Sequence, residues 1–560
     1  MTSSNQLSEE PQLRIALTLP GGVAPGTFEA GAVCALLAWT QEVNARRHDS
    51  VVIDVIAGAS AGALTAVLAA RVILAGDDPI AVLRRAWVAE PSLRALRATG
   101  PWAPLSLRRA RAVANVLLFA PSTVAPSHRQ ATPVKLNIAL GCLRGFSYDV
   151  PQVASTAPAG APLPGAEYLD WSVHVLQQIP AGSRPEGSHA EHWRDAVASA
   201  LASASHPLAF SAALLNREHL RAQYTDAGVT NLPENDEGLQ LWYTDGGLLD
   251  NEPLGRCLKT VAAVDTSDSP SRLVMLVRSF VRRPPARNDA AWAGPTHPRF
   301  TQTLVRAFDL LAAHSLAYDL VNVEKVNARL RWTREVAAKI SALLGDDRHA
   351  QEQLSRLLMS IQTESEAFAG VSGSPVGGSP VGGSPVGMSA RATRSGAELV
   401  EALLMAASGL EGKRQARVAV VTPDPAFAAP AAERDLRGFV VRRQRAMYFA
   451  AGYWSMLKWI QEGHQLEERL TPELVHDACS AAERKLRKPR TLTERRSDRI
   501  PIRVRAEAVR LGARAVKISI ADAVAAWQGE ARGRGQGPVE LDAERRDGFE
   551  RGRRQTRTWL

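Results

Sequence analysis

The strongest constraint on the fold is the run Val51-Val52-Ile53-Asp54-Val55-Ile56, which passes through Ala57 into Gly58-Ala59-Ser60-Ala61-Gly62 and then into an Ala/Leu-rich stretch beginning Ala63-Leu64. Five of the first six residues are β-branched, which suits a strand, whereas the residues after Gly62 have the composition of a helix. The junction is therefore G-x-S-x-G. A serine with small neighbours on both sides can occupy a sharp strand-to-helix turn, its hydroxyl pointing outward above the free N–H groups of the new helix. That arrangement is a nucleophile elbow. Because the motif is common by chance in an Ala/Gly-rich chain, an ordinary Gly/Ser turn in a βα unit is the alternative it leaves open.

Two further segments bear on that choice. Arg14-Ile15-Ala16-Leu17-Thr18-Leu19 suits a short buried strand, and it runs through Pro20 into Gly21-Gly22-Val23-Ala24-Pro25-Gly26 before an apolar helix predicted over about 27–39. Such a loop can present backbone N–H groups at a helix N-terminus, where an oxyanion or a phosphate would sit. The glycine spacing departs from G-x-G-x-x-G at Val23, and Glu42 lies in a helical or loop context, not at a strand end, so a dinucleotide site is the weaker use. Far downstream, Leu241-Trp242-Tyr243-Thr244 is an aromatic strand that delivers Asp245 and then Gly246-Gly247. A carboxylate held there can take a serine proton if burial raises its basicity; an Asp-Gly hairpin turn is the plain alternative.

Taken together, these motifs resemble the patatin-like phospholipases, which carry in order a Gly-rich oxyanion loop, G-x-S-x-G on the second βα unit and D-G-G or D-G-A. The residues after Asp245-Gly246-Gly247, through Asn251 and Pro253, are similar to the family's continuation, and so is the Ala/Ser-Pro-Phe stretch over 198–210. The chain departs from most relatives at Val23, where they have a third glycine, and at Pro25, where they have Arg or Lys. Val23 keeps its N–H, whereas Pro25 has none. The resemblance implies an α/β, three-layer patatin-like fold with a central, mostly parallel sheet flanked by helices and a mainly helical C-terminal region. It implies a lipid acyl hydrolase of the phospholipase A type, with Ser60 and Asp245 as a catalytic dyad. Amides of Gly21, Gly22, Val23 and Ala61 are then the expected oxyanion hole, with Gly26, Gly58, Gly62, Gly246 and Gly247 supporting the motifs. No metal or cofactor is implied. The substrate would be a phospholipid or another acyl-ester lipid.

The rest of the chain sets boundaries. Its 560 residues suggest three or four domains on length alone. Ser60 and Asp245 must meet, however, so the span between them belongs to one unit. The expected organisation is an N-terminal tail over 1–11, the patatin-like domain over 12–260 and a helical extension over 261–370. A Gly-Ser-Pro-Val repeat follows at 371–390, then a strand and helical region packing on the catalytic domain over 391–483, and a basic tail over 484–560. The repeat, with a perfect period of five residues, is too rich in Gly and Pro to form a core and is as well explained by an insertion as by a boundary.

Charge is distributed unevenly. Of the formal net charge of +10, residues 484–560 hold 21 Lys and Arg against 10 Asp and Glu, and the remainder is close to neutral. A solvated tail is the plainest explanation, docking on anionic membrane the next, and nucleic acid the least, since no aromatic residues interleave the arginines. No apolar run approaches the roughly 20 residues that span a bilayer, and Glu9 and Glu10 precede any apolar stretch, so a cytoplasmic protein with peripheral membrane contact is expected. Cys34, Cys142, Cys257 and Cys479 are scattered without metal-ligand spacing.

Residues 151–189, rich in Pro, Ala and Gly, suggest an irregular insertion. Residues 102–119 combine Arg108, Arg109 and Arg111 with Val113, Val116, Leu117 and Leu118, which fits either an interfacial lid or an ordinary amphipathic helix. Two rival functions remain. A Ser-His-Asp α/β-hydrolase would supply a histidine after the acid, from among His297, His314, His349, His464 and His476. A catalytically weak lipid-binding or regulatory protein would keep the fold without the activity.

Overall fold

The computed structural model describes residues 13–22, 26–47, 50–91, 105–122, 130–150, 163–180, 182–207, 209–234, 238–265, 272–279, 300–344, 415–424, 442–463 and 470–486, with a few single positions between these stretches. The expected tail over 1–11, the repeat at 371–390 and nearly all of the basic tail lie outside them.

In chain order the elements are β1 (Leu13–Leu19), α1 (Gly26–Arg46), β2 (Val51–Gly58), α2 (Ala61–Ala75), a π-helical segment α3 (Ile80–Ala89) and α4 (Arg108–Leu118). Next come β3 (Val134–Val150), β4 (Leu163–Leu176), α5 (Gly187–Ser203), β5 (Ala213–Asn216), α6 (Arg221–Asp226), β6 (Gln240–Asp245) and α7 (Leu254–Val264). The described chain closes with β7 (Arg272–Val277), α8 (Phe300–Leu344), β8 (Arg417–Val421), α9 (Arg442–Gln461) and α10 (Pro472–Lys485). The eight strands form one sheet in the order β5-β6-β3-β2-β1-β7-β8, with β4 paired to β3 off this path. Pairing is parallel from β3 through β2, β1 and β7 to β8, and antiparallel where β4 and β6 meet β3 and β5 meets β6.

Alternation along the central strands sets the layers. Leu13, Ile15, Leu17 and Leu19 of β1 pack with α1, α2, α5, α9 and α10, while Ala16, Val55, Ala57 and Val274 face the opposite way onto Leu254 and Cys257 of α7 and toward α8. Strands buried on both faces are therefore mostly apolar, as parallel sheets require. Asp54 is the exception in β2. Its carboxylate binds the buried Arg272 guanidinium of β7, which also binds Asp265 at 2.6 Å.

Strand β8 returns to the sheet beside β7, with Val418 opposite Val274. Helix α9 lies against α1, and Phe449, Tyr453, Met456, Leu457 and Ile460 are buried there. Among the described residues, no helix is long and apolar enough to cross a membrane.

One sequence expectation fails. The irregular insertion expected over 151–189 contains β4, which pairs with β3 from Val134↔Leu176 to Val150↔Leu163, and the first residues of α5. The inward side chains of β4 include Asp170 and Ser172, so the period-two apolar signal of a strand is absent.

Candidate active site

The topology brings two distant segments together. β2 runs parallel to β3 and ends with Gly58 opposite Ile138; β6 runs antiparallel to β3 and ends with Asp245 opposite Leu140. Since β4 occupies the other edge of β3 at Leu140, β2 and β6 approach along one edge from opposite ends. Their C-termini thus converge two residues apart. Ser60, just beyond the end of β2, and Asp245, at the end of β6, are neighbours for that reason.

Ser60 sits between β2 and α2 with φ 51° and ψ −120°, and among the described residues it is the sole non-glycine with positive φ. Backbone strain of this kind costs on the order of 1–3 kcal/mol and is held by the surrounding packing. Gly62 makes the turn possible, because a Cβ there would lie 2.1 Å from the Leu19 carbonyl oxygen. Gly246 does the same for the second motif: a Cβ would lie 2.0 Å from the Ala139 oxygen. Gly58 packs against Gly62 and Ala63, where a Cβ would lie 2.8 Å from the Gly62 oxygen, and Gly26, at the start of α1, lies against Ala61 and Trp87.

Ser60 Oγ donates a hydrogen bond to Asp245 Oδ2 at 2.8 Å, with no imidazole between them. The second carboxylate oxygen, Oδ1, accepts the Gly247 N–H at 2.7 Å. Asp245 is 3% exposed, and burial pushes its pKa up to about 7 against the opposing effect of the bonds from Ser60 and Gly247. A base at that value is matched to neutral pH. Of the histidines expected for a triad, His297 and His464 lie outside the described residues, His314 lies in α8, His349 meets Gln353, and His476 lies in α10.

The expected oxyanion donors divide. Ala61 is the first residue of α2, so its N–H is one that the helix cannot use internally. Gly22 lines the same cleft as Ser60 and Ala61. Gly21 is a correction: its N–H donates to the Asn251 carbonyl at 2.9 Å, which removes it from the set of available donors. Val23 lies outside the described residues.

Several supporting residues were invisible as such in the sequence. Ser203 Oγ accepts the Ser60 N–H at 2.8 Å, and the Ser205 carbonyl accepts the Asp245 N–H at 3.2 Å. Both lie in the Ala/Ser stretch that resembles the family, so a signal was present without a role. Behind Asp245, Asp170 Oδ2 accepts bonds from Tyr243 at 2.7 Å, Tyr224 at 2.9 Å and Arg217 at 2.9 Å, tying β6 to β4. Nothing local marks Asp170 or Arg217 as partners.

Ser60 opens onto an apolar cleft of about 160 Å³. Leu64, Val67 and Leu68 of α2 form one wall, Val113 and Leu117 of α4 another, and Trp87 of α3 a third. Residues expected to form either a lid or an amphipathic helix are therefore a wall of this cleft. Arg71 fixes that wall. Fully buried in α2, it binds Asp77 at 2.8 Å and the carbonyls of Leu118 and Ala120, at and just past the end of α4, at 3.0 and 2.9 Å. Arg71→Met should lower stability by about 3 kcal/mol, since Asp77 and two carbonyls lose their donor. Urea denaturation checks the cost, and a larger loss of turnover on long-chain than on short-chain esters checks the wall.

Residues 17–258 match the family model for patatin-like phospholipases. With the fold and the site in place, the chain is seen to carry a domain of the patatin-like phospholipase family, whose members are esterases acting on lipids. Among solved structures, VipD from Legionella pneumophila is similar at 10% sequence identity and a TM-score of 0.24, covering 85% of this chain and 74% of that one. No curated protein matches the chain.

Proposed function

We propose that this chain hydrolyses acyl ester bonds of phospholipids or related lipids, with Ser60 as nucleophile and Asp245 as base. The observation that carries the reading is the direct 2.8 Å bond between Ser60 Oγ and Asp245 Oδ2, with Ser60 lining an apolar cleft. Ser60 Oγ attacks the acyl carbonyl carbon while its proton passes to Asp245. The N–H groups of Ala61 and Gly22 stabilise the oxyanion, each worth about 100–1000-fold in rate. On collapse the leaving alcohol takes the proton from Asp245, leaving an acyl-serine. Water then attacks that ester, its proton goes to Asp245, and release of the fatty acid restores Ser60. No step needs a metal, and the acyl chain is held in the cleft formed by α2 and α4.

A phospholipid substrate lies in a membrane, so peripheral membrane contact belongs to the same proposal. A reducing, cytoplasmic setting is supported by four buried cysteines that are all free. The engaged Gly21 amide favours one alternative, a weakly active lipid-binding protein with a reduced oxyanion hole. A fluorophosphonate probe separates the two. Labelling of the wild-type chain, absent in Ser60→Ala, is expected for an activated serine; an unlabelled wild-type chain would favour the binding protein.

A further inference from the structure

We infer that the outward faces of α3 and α4 form a docking surface for anionic phospholipid bilayers, placed so that the acyl cleft opens onto the membrane; this rests on the lipid-hydrolase reading for its purpose. Charge patterning carries the inference. From 79 to 148 the sequence contains nine arginines and one lysine but a single acid, Glu90, although the first 483 residues as a whole are nearly neutral. Five of those arginines fall on two of the helices that wall the cleft: Arg84 and Arg85 on α3, and Arg108, Arg109 and Arg111 on α4. All five are exposed.

Glu90 does not cancel the patch. It lines the cleft, where its carboxylate binds both Arg109 and Arg85, and those two bonds hold its pKa below the ordinary value. Arg84, Arg108 and Arg111 make no ion pair with any described residue. On α4 the apolar side, with Val113, Leu117 and Leu118, faces inward, leaving Arg108, Arg111, Asn115 and Val116 on the solvent side; Val116 is 55% exposed. A cationic face with an apolar residue among its charges, beside an opening lined by apolar side chains, complements anionic headgroups above a hydrocarbon layer. A neutral bilayer offers that face no comparable attraction.

The test uses the full chain carrying Ser60→Ala, so that binding is measured without turnover. Co-sedimentation is compared on vesicles of phosphatidylcholine alone and of phosphatidylcholine with phosphatidylglycerol. Each arginine near an anionic surface contributes about fivefold to binding. Adding Arg84→Gln, Arg108→Gln and Arg111→Gln should therefore weaken binding to the anionic vesicles by about a hundredfold and leave the weak binding to phosphatidylcholine unchanged. In a background with Ser60 intact, the same three changes should not alter fluorophosphonate labelling, which shows that the site remains folded. Undiminished binding of the triple variant to anionic vesicles overturns the inference and assigns the attraction to another part of the chain, such as the basic tail. Equal binding of the Ser60→Ala chain to both vesicle types overturns it as well. A chain that docks as described yet shows no labelling at Ser60 leaves the docking surface standing and removes the hydrolase reading instead.

Discussion

Asp245→Asn is expected to remove turnover and, above pH 7, to leave the chain more stable than its parent. Both effects come from the same burial. In the parent, the carboxyl must ionise in a site that is 3% exposed, and its pKa stands at about 7, above the ordinary value of 3.8. As an acid whose folded-state pKa is raised, Asp245 contributes stability that is fully present below pH 3.8 and is lost as pH rises through 7, because the unfolded chain releases that proton more readily. A difference of about three pH units corresponds to a loss of at most about 4 kcal/mol. Asn keeps the shape, can accept the Gly247 N–H and carries no charge, so the loss disappears. It cannot take a proton from Ser60, which should cost about 10²–10⁴-fold in kcat/KM. Urea midpoints at pH 5 and pH 8 measure the first effect, with the variant's advantage appearing at the higher pH. The pH profile of the parent measures the second: activity should rise with pH and level off above an apparent pKa of about 7. A profile with a midpoint near pH 4, or a variant that keeps the parent's kcat/KM, would show that another group is the base.

Much of this site was legible in the sequence, for reasons that can be named. The β-branched run of β2, the small residues around Ser60 and the aromatic strand ending at Asp245 are local signals, and each states its geometry within about ten residues. What the sequence hides is relational. That β2 and β6 end on the same edge of β3 depends on pairings between residues about 80 to 105 positions apart. The loss of Gly21 as a donor depends on Asn251, which is 230 residues away. Strand β4 was missed because Asp170 and Ser172 occupy its inward positions, where the pattern requires apolar residues. They are tolerated because Arg217, Tyr224 and Tyr243 satisfy the first, and Arg217 and Ser199 the second. A polar strand face of this kind becomes readable only when its partners are known.

Gly452→Ala should destabilise the chain by about 3 kcal/mol or more, although the same change in an unconstrained helix interior stabilises by about 1 kcal/mol. The sign follows from how α9 meets α1. A Cβ at Gly452 would lie 1.9 Å from the Phe28 carbonyl oxygen, and one at Gly31 would lie 2.0 Å from the Phe449 carbonyl oxygen, so each helix offers a glycine to the other's backbone. A methyl group at either position has no flexible side chain to displace. It must drive the two helices apart, opening the packing of Phe449, Tyr453, Met456 and Leu457 against a helix whose buried residues include Phe28, Leu36, Leu37 and Trp39. Helix α1 begins at Gly26, which touches Ala61 and Trp87, so displacement of α1 also reaches the cleft. Residues 442–461 therefore complete the core of a domain whose family match ends at residue 258. Denaturation in urea reads the cost directly, and Gly31→Ala should behave alike. The two changes together should cost less than the sum of the single costs, since the first already separates the helices. A more stable Gly452→Ala chain would mean that α9 does not pack on α1 at this crossing.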